Sequence, residues 1–515
     1  MSERLAFSYG TGAHEVRKGD AGVGGLHRGE GRNGDVRDGQ VRSGEVAPSD
    51  GRALAEPKRA DWAWRWLLAF TIVLFFRPQD QIVLLAPLHL AEFTAICALT
   101  AMAFQRLRRG QAIVPLTPEF VGVAALGTLM ALTIPFSFWK GGAFATFTDV
   151  YLKIIAIFVL MTHALRSPRR VERMTWVILL ACGYLGFRAM LDYVRGVNLV
   201  EGGRVQGSIG GIFRNPNDLA LNLVSYLPLA VFAAIAPGKT MKRAAAMLIA
   251  ALMVGAVIFT QSRSGTIGLV IVVLITGAYA LRRRPALVLA GLFVAAVSVP
   301  FLPASYIERM ASITDEEKDQ TGSREARQVL FREALQTFAE RPLTGVGAGQ
   351  FKNYNPPGRQ ETWRETHNAL LQLATELGIL GPLIMLFLVG RGLYAIREAR
   401  VLLTRGIRAG IVAPGEPAVV WMQAHLSAMS AGLIGWFVCA QFASVAYNWT
   451  FYYVLALAAA PRELLIASSL RARLARLKAE GTGDVRLKAE TTRDFHSRAN
   501  ATGATTFRSL PEATP

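Results

Sequence analysis

Apolar runs close to membrane-crossing length, parted by short polar segments, recur from Trp64 to Ala467. About 20 apolar residues carry a helix across the hydrocarbon core of a bilayer. The runs fall at roughly 63–76, 82–105, 119–137, 147–165, 174–195, 217–236, 244–260, 265–281, 286–302, 367–390, 419–443 and 446–467. In lipid only helices or closed barrels satisfy every backbone group, so the pattern predicts an all-α, polytopic transmembrane helical bundle of about 12 spans. The longest gap, 303–366, has a pattern of its own. Over 323–340, Leu330, Phe331, Ala334, Leu335 and Phe338 share one helical stripe, with Ser323 placed as a cap and Pro342 just past the end. An amphipathic helix is expected there, lying as a lid on the membrane surface.

Charge orients the bundle. The formal net charge of +19 would point a soluble protein toward nucleic acid, but only 18% of residues are charged and the basic ones gather in short loops. No nucleic-acid partner is expected; membrane lipids are. Clusters at Arg106–Arg109, Arg166–Arg173, Lys239–Arg243, Arg282–Arg284 and Arg391–Arg408 fall on alternate loops. Basic loops stay in the cytoplasm, which puts both termini there and sends 196–216, 261–264 and 303–366 to the opposite, periplasmic side.

Three regions follow: a tail at 1–61, a membrane domain at 62–470 and a C-terminal tail at 471–515. No cleavable signal-peptide pattern opens the sequence. The first tail is Gly, Arg, Asp and Glu with few apolar groups, too little to bury, and is expected to be disordered in the cytoplasm. The second repeats Arg476-Leu477-Lys478-Ala479-Glu480 at Arg486–Glu490 and is expected to be a helical or disordered cytoplasmic segment. Cys97, Cys182 and Cys439 all lie inside apolar runs and are expected to be packing residues.

Three polar motifs interrupt the apolar pattern on the outer side: GRVQGSIGGIFRNPND (203–218), TQSRSG (260–265) and ETHNALL (365–371). Each stands where a span begins. Asn215 suits an N-cap, Pro216 the first helical position and Asp218 the first turn. Ser264 and Thr366 are the expected caps of the other two helices. Outward N-termini carry free N–H groups and partial positive charge, which favour anions. Arg204, Arg214 and Arg263 add guanidinium groups that match phosphate oxygens in pairs. His367 titrates near neutrality and suits proton removal from a hydroxyl. Asn217 and Asn368 accompany them.

Other readings stand beside these. An Arg at a span end serves equally as a snorkelling anchor, and a His at a helix start as a cap or interface residue. The glycines at 202–211 equally make a loose loop. GVGAG (345–349) is only loosely like a nucleotide loop and lies outside the cell in this topology. The stretch Asp315–Asp319 lacks EF-hand spacing and reads as solvated loop, so no metal site is expected. Within the spans, Arg188 and Asp192 sit four apart and are expected to pair. Glu376, about 13 Å into the span begun at His367, needs a partner, and Gln372 stands one turn above it.

Taken in order, several pieces resemble the O-antigen ligase family, which includes related O-antigen polymerases. They are Gly203-Arg204, Gly211-Ile212-Phe213-Arg214-Asn215-Pro216-Asn217, Thr260–Gly265, Arg341–Gly347, and Thr366-His367-Asn368 leading to Glu376–Gly381. Arg77-Pro78-Gln79-Asp80 further resembles a subgroup of O-glycosylation ligases associated with exosortase systems. The resemblance implies a bacterial inner-membrane glycosyltransferase without metal or other cofactor. It would move a glycan from undecaprenyl diphosphate to a lipid, protein or glycan acceptor at the periplasmic face. Arg204 and Arg263 would contact the donor diphosphate and His367 would be the base, with Asn215, Asn217, Thr366, Asn368 and Glu376 in support. Arg214 joins them by position alone.

A glycan polymerase would use the same donor with a growing chain as acceptor. A transporter or lipid-carrier flippase would instead need ionisable groups near the bilayer midplane and repeat-related broken helices. Most midplane positions are apolar and no repeat is visible in the membrane region, so an enzyme of the outer face is the favoured expectation.

Overall fold

The polar residues ahead of each apolar run decide where the helices start. The computed structural model of the protein describes residues 61–208, 210–282, 284–313 and 323–479. The tail expected at 1–61 (all but Asp61), the stretch Asp315–Asp319 and the C-terminal tail beyond Ala479 lie outside the described residues.

Asp61 accepts a hydrogen bond from the Trp64 N–H at the head of α1 (Trp62–Phe76). The short α2 (Pro78–Gln81) leads to α3 (Leu90–Leu107) and α4 (Pro118–Thr133). Next, α5 (Lys140–Ala145) runs through a π turn into α6 (Leu152–Ala164), followed by α7 (Pro168–Val194). A two-stranded antiparallel hairpin, β1 (Leu199–Val200) and β2 (Arg204–Val205), precedes α8 (Pro216–Ile235). Then come α9 (Thr240–Phe259), α10 (Arg263–Leu281), α11 (Pro285–Ser298), α12 (Ala304–Ala311) and α13 (Ser323–Glu340). The described residues close with α14 (Ala369–Leu377), α15 (Leu380–Arg408), α16 (Pro417–Ala440) and α17 (Trp449–Ala479). Proline opens α4, α7, α8, α11 and α16, where its fixed φ is already helical and its missing N–H costs nothing.

The fold is all-α and polytopic, but the span count differs from the expected twelve. Among the described residues nine helices are long and apolar enough to cross a membrane, or ten if a bent pair counts as one span. That pair, α11 and its 3-10 extension followed by α12, turns by 102° in a segment holding Pro300 and Pro303. The run at 63–76 yields a helix of 15 residues, about 22 Å long and short of the core thickness. The 24-residue α16 is long enough, but Gln423, His425, Ser427 and Ser430 dilute its apolar character. The run at 367–390 is two helices, α14 and α15, parted at Gly378, whose φ of 72° breaks the ladder.

At the centre, α8, α10 and α16 meet through glycines. A side chain at Gly268 would collide with the Cys439 sulfur, and one at Gly432 with the Ser225 carbonyl. Small residues let membrane helices approach backbone to backbone. Cys182 and Cys439 are buried, Cys97 is partly so, and all three are free thiols, consistent with packing roles.

One buried ionic contact lies within α7 and another joins three helices. Asp192, 2% exposed in its side chain, stands 3.6 Å from Arg188 as expected, and also accepts from the Asn198 amide at 2.9 Å. At the basic end, the buried Glu119 on α4 accepts from Arg462 of α17 at 2.8 and 2.7 Å and from Arg391 of α15 at 3.2 Å. Glu398 and Glu463 complete that cluster. Losing one partner of such a group strands a buried charge.

Candidate functional site

The first motif is held in a fixed shape. The hairpin pairs Val200 with Arg204 across the turn at Glu201-Gly202-Gly203, which aims Arg204 back toward the helices. The Gly207 N–H donates to the Phe213 carbonyl at 2.7 Å, and Phe213 is fully buried among Phe75 and Trp449. The glycine-rich stretch is therefore an anchored loop and not a loose one. Asn215 caps α8 as expected, accepting from the Asn217 N–H at 2.8 Å, with Pro216 first in the helix and Asp218 in its first turn. Arg214 ends a 3-10 turn just before the cap and is exposed.

Asn217 joins this motif to the second. Its side-chain oxygen accepts from Arg204 Nη2 at 2.8 Å and from Ser262 Oγ at 2.8 Å. Arg204 Nε donates to the Thr260 carbonyl at 3.1 Å. Ser262, not the expected Ser264, caps α10, accepting from the Gly265 N–H at 3.1 Å. Gln261, at φ 50°, turns the chain immediately before the cap, so the helix starts two residues early and Arg263 is its first residue. Ser264 instead lies inside α10 with its hydroxyl 3.1 Å from that of Ser262.

The third motif shows the same correction. Asn368, not Thr366, caps α14, accepting from the Leu371 N–H at 2.9 Å. His367 precedes it in the left-handed region at φ 51°, and its N–H donates to Ser444 Oγ at 2.9 Å. The Thr366 hydroxyl lies 3.2 Å from that of Ser444, and the Asn368 amide donates to the Gln441 carbonyl at 3.1 Å. Cys439, two residues before Gln441, donates to the Ser264 carbonyl at 3.4 Å. The C-terminal end of α16 thus holds the second and third motifs together. Asp218 lies within electrostatic reach of Glu365, which brings the first motif to the third.

Burial, then the charges of Arg327 and Arg364, lower the His367 pKa to about 4. The arginines responsible are not the three of the anion motifs. Arg327 comes from α13, whose helix does form over the expected span but turns a different face inward. Leu330, Ala334 and Thr337 are buried, whereas Phe331 and Leu335 stay exposed. Ser323 is its first residue and Pro342 follows its end. Leu330 and Ala334 pack with Val346, Phe351 and Leu371, so the lid rests on α14 and the GVGAG run.

That run is structural. The N–H groups of Val346 and Gly347 donate to the carbonyls of Thr375 and Glu376, each at 2.9 Å. Glu376 Oε2 accepts from the Gly349 N–H at 2.8 Å, and this is its partner in place of Gln372, whose oxygen accepts from the Ala446 N–H at 3.2 Å. Gly345, at φ 64°, leaves no room for a Cβ against the Glu376 carbonyl group. Gly345→Ala combines backbone strain of about 1–2 kcal/mol with that collision and is expected to lower the thermal midpoint in detergent by several degrees. An unchanged midpoint would show that the loop is not docked on α14.

The Arg77-Pro78-Gln79-Asp80 tetrapeptide also reaches the site. Arg77 Nε donates to Asp80 Oδ2 at 2.6 Å, and the Asp80 carboxylate presses on Gly210 of the glycine-rich loop.

Residues 248–386 match the family model for O-antigen ligase. No curated protein matches the chain. The matched segment contains Arg263, Arg327, His367 and Glu376, while Arg204, Arg214 and Asn217 come from the preceding region that folds against it. The resemblance to the O-antigen ligase superfamily is thereby supported from a second direction, on a chain that is a multi-pass helical membrane protein. In general terms that superfamily comprises membrane enzymes that transfer glycans as ligases or polymerases. Arg327, Arg364, Gln441 and Ser444 carried no signal in the sequence pattern, since they reach the site only through tertiary packing.

Proposed function

We propose that this protein is a glycan ligase that transfers a saccharide from an undecaprenyl-diphosphate donor to an acceptor hydroxyl at the periplasmic face. The observation that carries the reading is the node at Asn217, which binds Arg204 and Ser262 beside the head of α10 while α16 ties that head to the His367 loop. This arrangement supports reading the corner as an anion site beside a neutral imidazole.

In the proposed reaction the imidazole of His367 takes the acceptor hydroxyl proton as the oxygen attacks the anomeric carbon. The bond from that carbon to the diphosphate oxygen breaks, and undecaprenyl diphosphate departs with the electron pair. Negative charge grows on the leaving group, where Arg204, Arg263 and Arg214, with the N-termini of α8 and α10, would stabilise it. Outside the cytoplasm nucleotide sugars are absent, so a pre-activated lipid-linked donor is the chemistry that suits this face.

The direct test supplies purified protein in nanodiscs with an undecaprenyl-diphosphate oligosaccharide and separate lipid, protein and glycan acceptors. Glycan on an acceptor together with free carrier supports the ligase. Lengthening of the glycan on its carrier would instead make the enzyme a polymerase, and no transfer with any acceptor would overturn the reading. A chelator is expected to leave the rate unchanged; loss restored by a divalent cation would bring a metal into the mechanism.

The proposed orientation has its own check. A periplasm-active reporter fused after Gly358 is expected to be active and one fused after Gly410 inactive, as the alternating basic loops require. The reverse result would place the site in the cytoplasm and exclude this donor.

A further inference from the structure

The inner ends of the central helices enclose a cleft of about 370 Å³, far from the three motifs at the outer ends. Its walls are Phe232 and Ile235 of α8, Pro237 just beyond, Tyr279 of α10, and Val420 and Ala424 of α16. Small-molecule sites occupy about 300–1,000 Å³ and are mostly apolar with a few placed polar groups, as here.

Arg284 lines the cleft and is exposed. Arg243 donates from Nε to the Ala234 carbonyl at 2.9 Å, one residue before the lining Ile235. Arg400 of α15 lies within electrostatic reach of Tyr279 and is fixed by donating to Ser430 Oγ at 3.0 Å and to the Leu426 carbonyl at 3.3 Å. Among the described residues no carboxylate pairs with any of the three. The cleft therefore has an apolar wall that would bury hydrocarbon and a lining guanidinium, Arg284, with two more arginines held on neighbouring segments. Guanidinium binds phosphate oxygens in pairs and is weakly hydrated, which suits the headgroup layer.

We propose that this cleft is a specific site for an anionic glycerophospholipid of the cytoplasmic leaflet, with an acyl chain along Phe232, Ile235, Val420 and Ala424 and its phosphate held at Arg284. Arg284 at the cleft, with Arg243 and Arg400 on adjoining segments, selects against a zwitterionic lipid, whose ammonium guanidinium groups repel. Juxtamembrane basic residues each favour anionic lipid, and charge reversal at one of them changes occupancy by about tenfold or more. The inference rests on the orientation assigned from the basic loops, and it is independent of the chemistry proposed at the outer site.

The test uses full-length protein in phosphatidylcholine nanodiscs containing a trace of photoactivatable phosphatidylglycerol, with cross-linked peptides mapped by mass spectrometry. The expected adducts lie on 232–237, 279–284 and 420–424, with phosphatidylglycerol captured well above a phosphatidylcholine probe of the same design. Arg284→Glu is expected to cut capture about tenfold, and Ala424→Trp, which fills the cleft without altering charge, to do the same. An unchanged thermal midpoint and a monodisperse elution profile for either variant show that the fold is intact. Equal capture of the two probes, or capture unaffected by both substitutions in folded protein, would overturn the proposal. Displacement of the probe by undecaprenyl phosphate but not by unlabelled phosphatidylglycerol would also overturn it, by making the occupant the carrier lipid.

Discussion

Replacing His367 by alanine is expected to lower glycan transfer by about 100-fold or more, the usual loss for a missing general base. The variant should insert and still bind lipid-linked donor, because the backbone position is held by the Ser444 hydroxyl and the Asn368 cap, neither of which uses the imidazole. Unligated glycan should accumulate on its carrier. The pH profile gives a sharper test. A base must be neutral before reaction, and burial with the charges of Arg327 and Arg364 lowers the pKa of His367 to about 4. The free enzyme should therefore keep a level kcat/KM as pH falls from 8 through 5, and lose it only near 4, where the imidazole gains a proton. An ordinary histidine would begin to fail near 6.5. Wild-type transfer by His367→Ala would place the base elsewhere. Loss of donor binding in the variant would assign His367 to the anion site.

The second large effect is expected from Arg→Lys at 204 and 263. A lysine snorkels to the membrane surface as well as an arginine does, so simple anchoring would leave both variants fully active. Arg204 has a task one ammonium cannot copy. Its Nε and Nη2 already hold the Thr260 carbonyl and the Asn217 side chain, which directs the guanidinium plane. A charged hydrogen bond is worth about 1.5–3 kcal/mol, so loss of the fork should reduce transfer about 10- to 100-fold, with weakened donor affinity. Binding of a labelled undecaprenyl-diphosphate donor, measured beside the rate, checks this. Normal affinity and rate in both variants would remove the arginines from the mechanism.

The bundle itself was legible because the bilayer permits so few solutions. Wherever twenty apolar residues ran together between polar segments, a helix formed. What the pattern missed were single backbone angles. The apolar run across Leu377-Gly378-Ile379 looks continuous, yet one left-handed glycine divides it into α14 and α15. The caps failed in the same manner. TQSRS and THN each offer several capping side chains, and the choice is made by a left-handed residue immediately before the cap, Gln261 in one and His367 in the other. Side-chain pattern does not encode a positive φ at a non-glycine residue. The meeting of Arg204, Asn217 and Ser262 was foreseeable only as two motifs on one face. Which atoms bond was not, and the approach of Arg327 to His367 depends on a lid whose inward face differs from the most apolar stripe.

The cluster around Glu119 bears on how the chain is made. Glu119 enters the membrane with the early helices, while its main partner, Arg462, lies 343 residues later. Until the helices carrying Arg391 and Arg462 are made, this carboxyl has neither guanidinium to meet. Only when α17 arrives does Arg462 close over it, with Arg391 already delivered by α15. The cluster is then completed only by α17, and a chain that stopped short of it would leave Glu119 without its closest guanidinium.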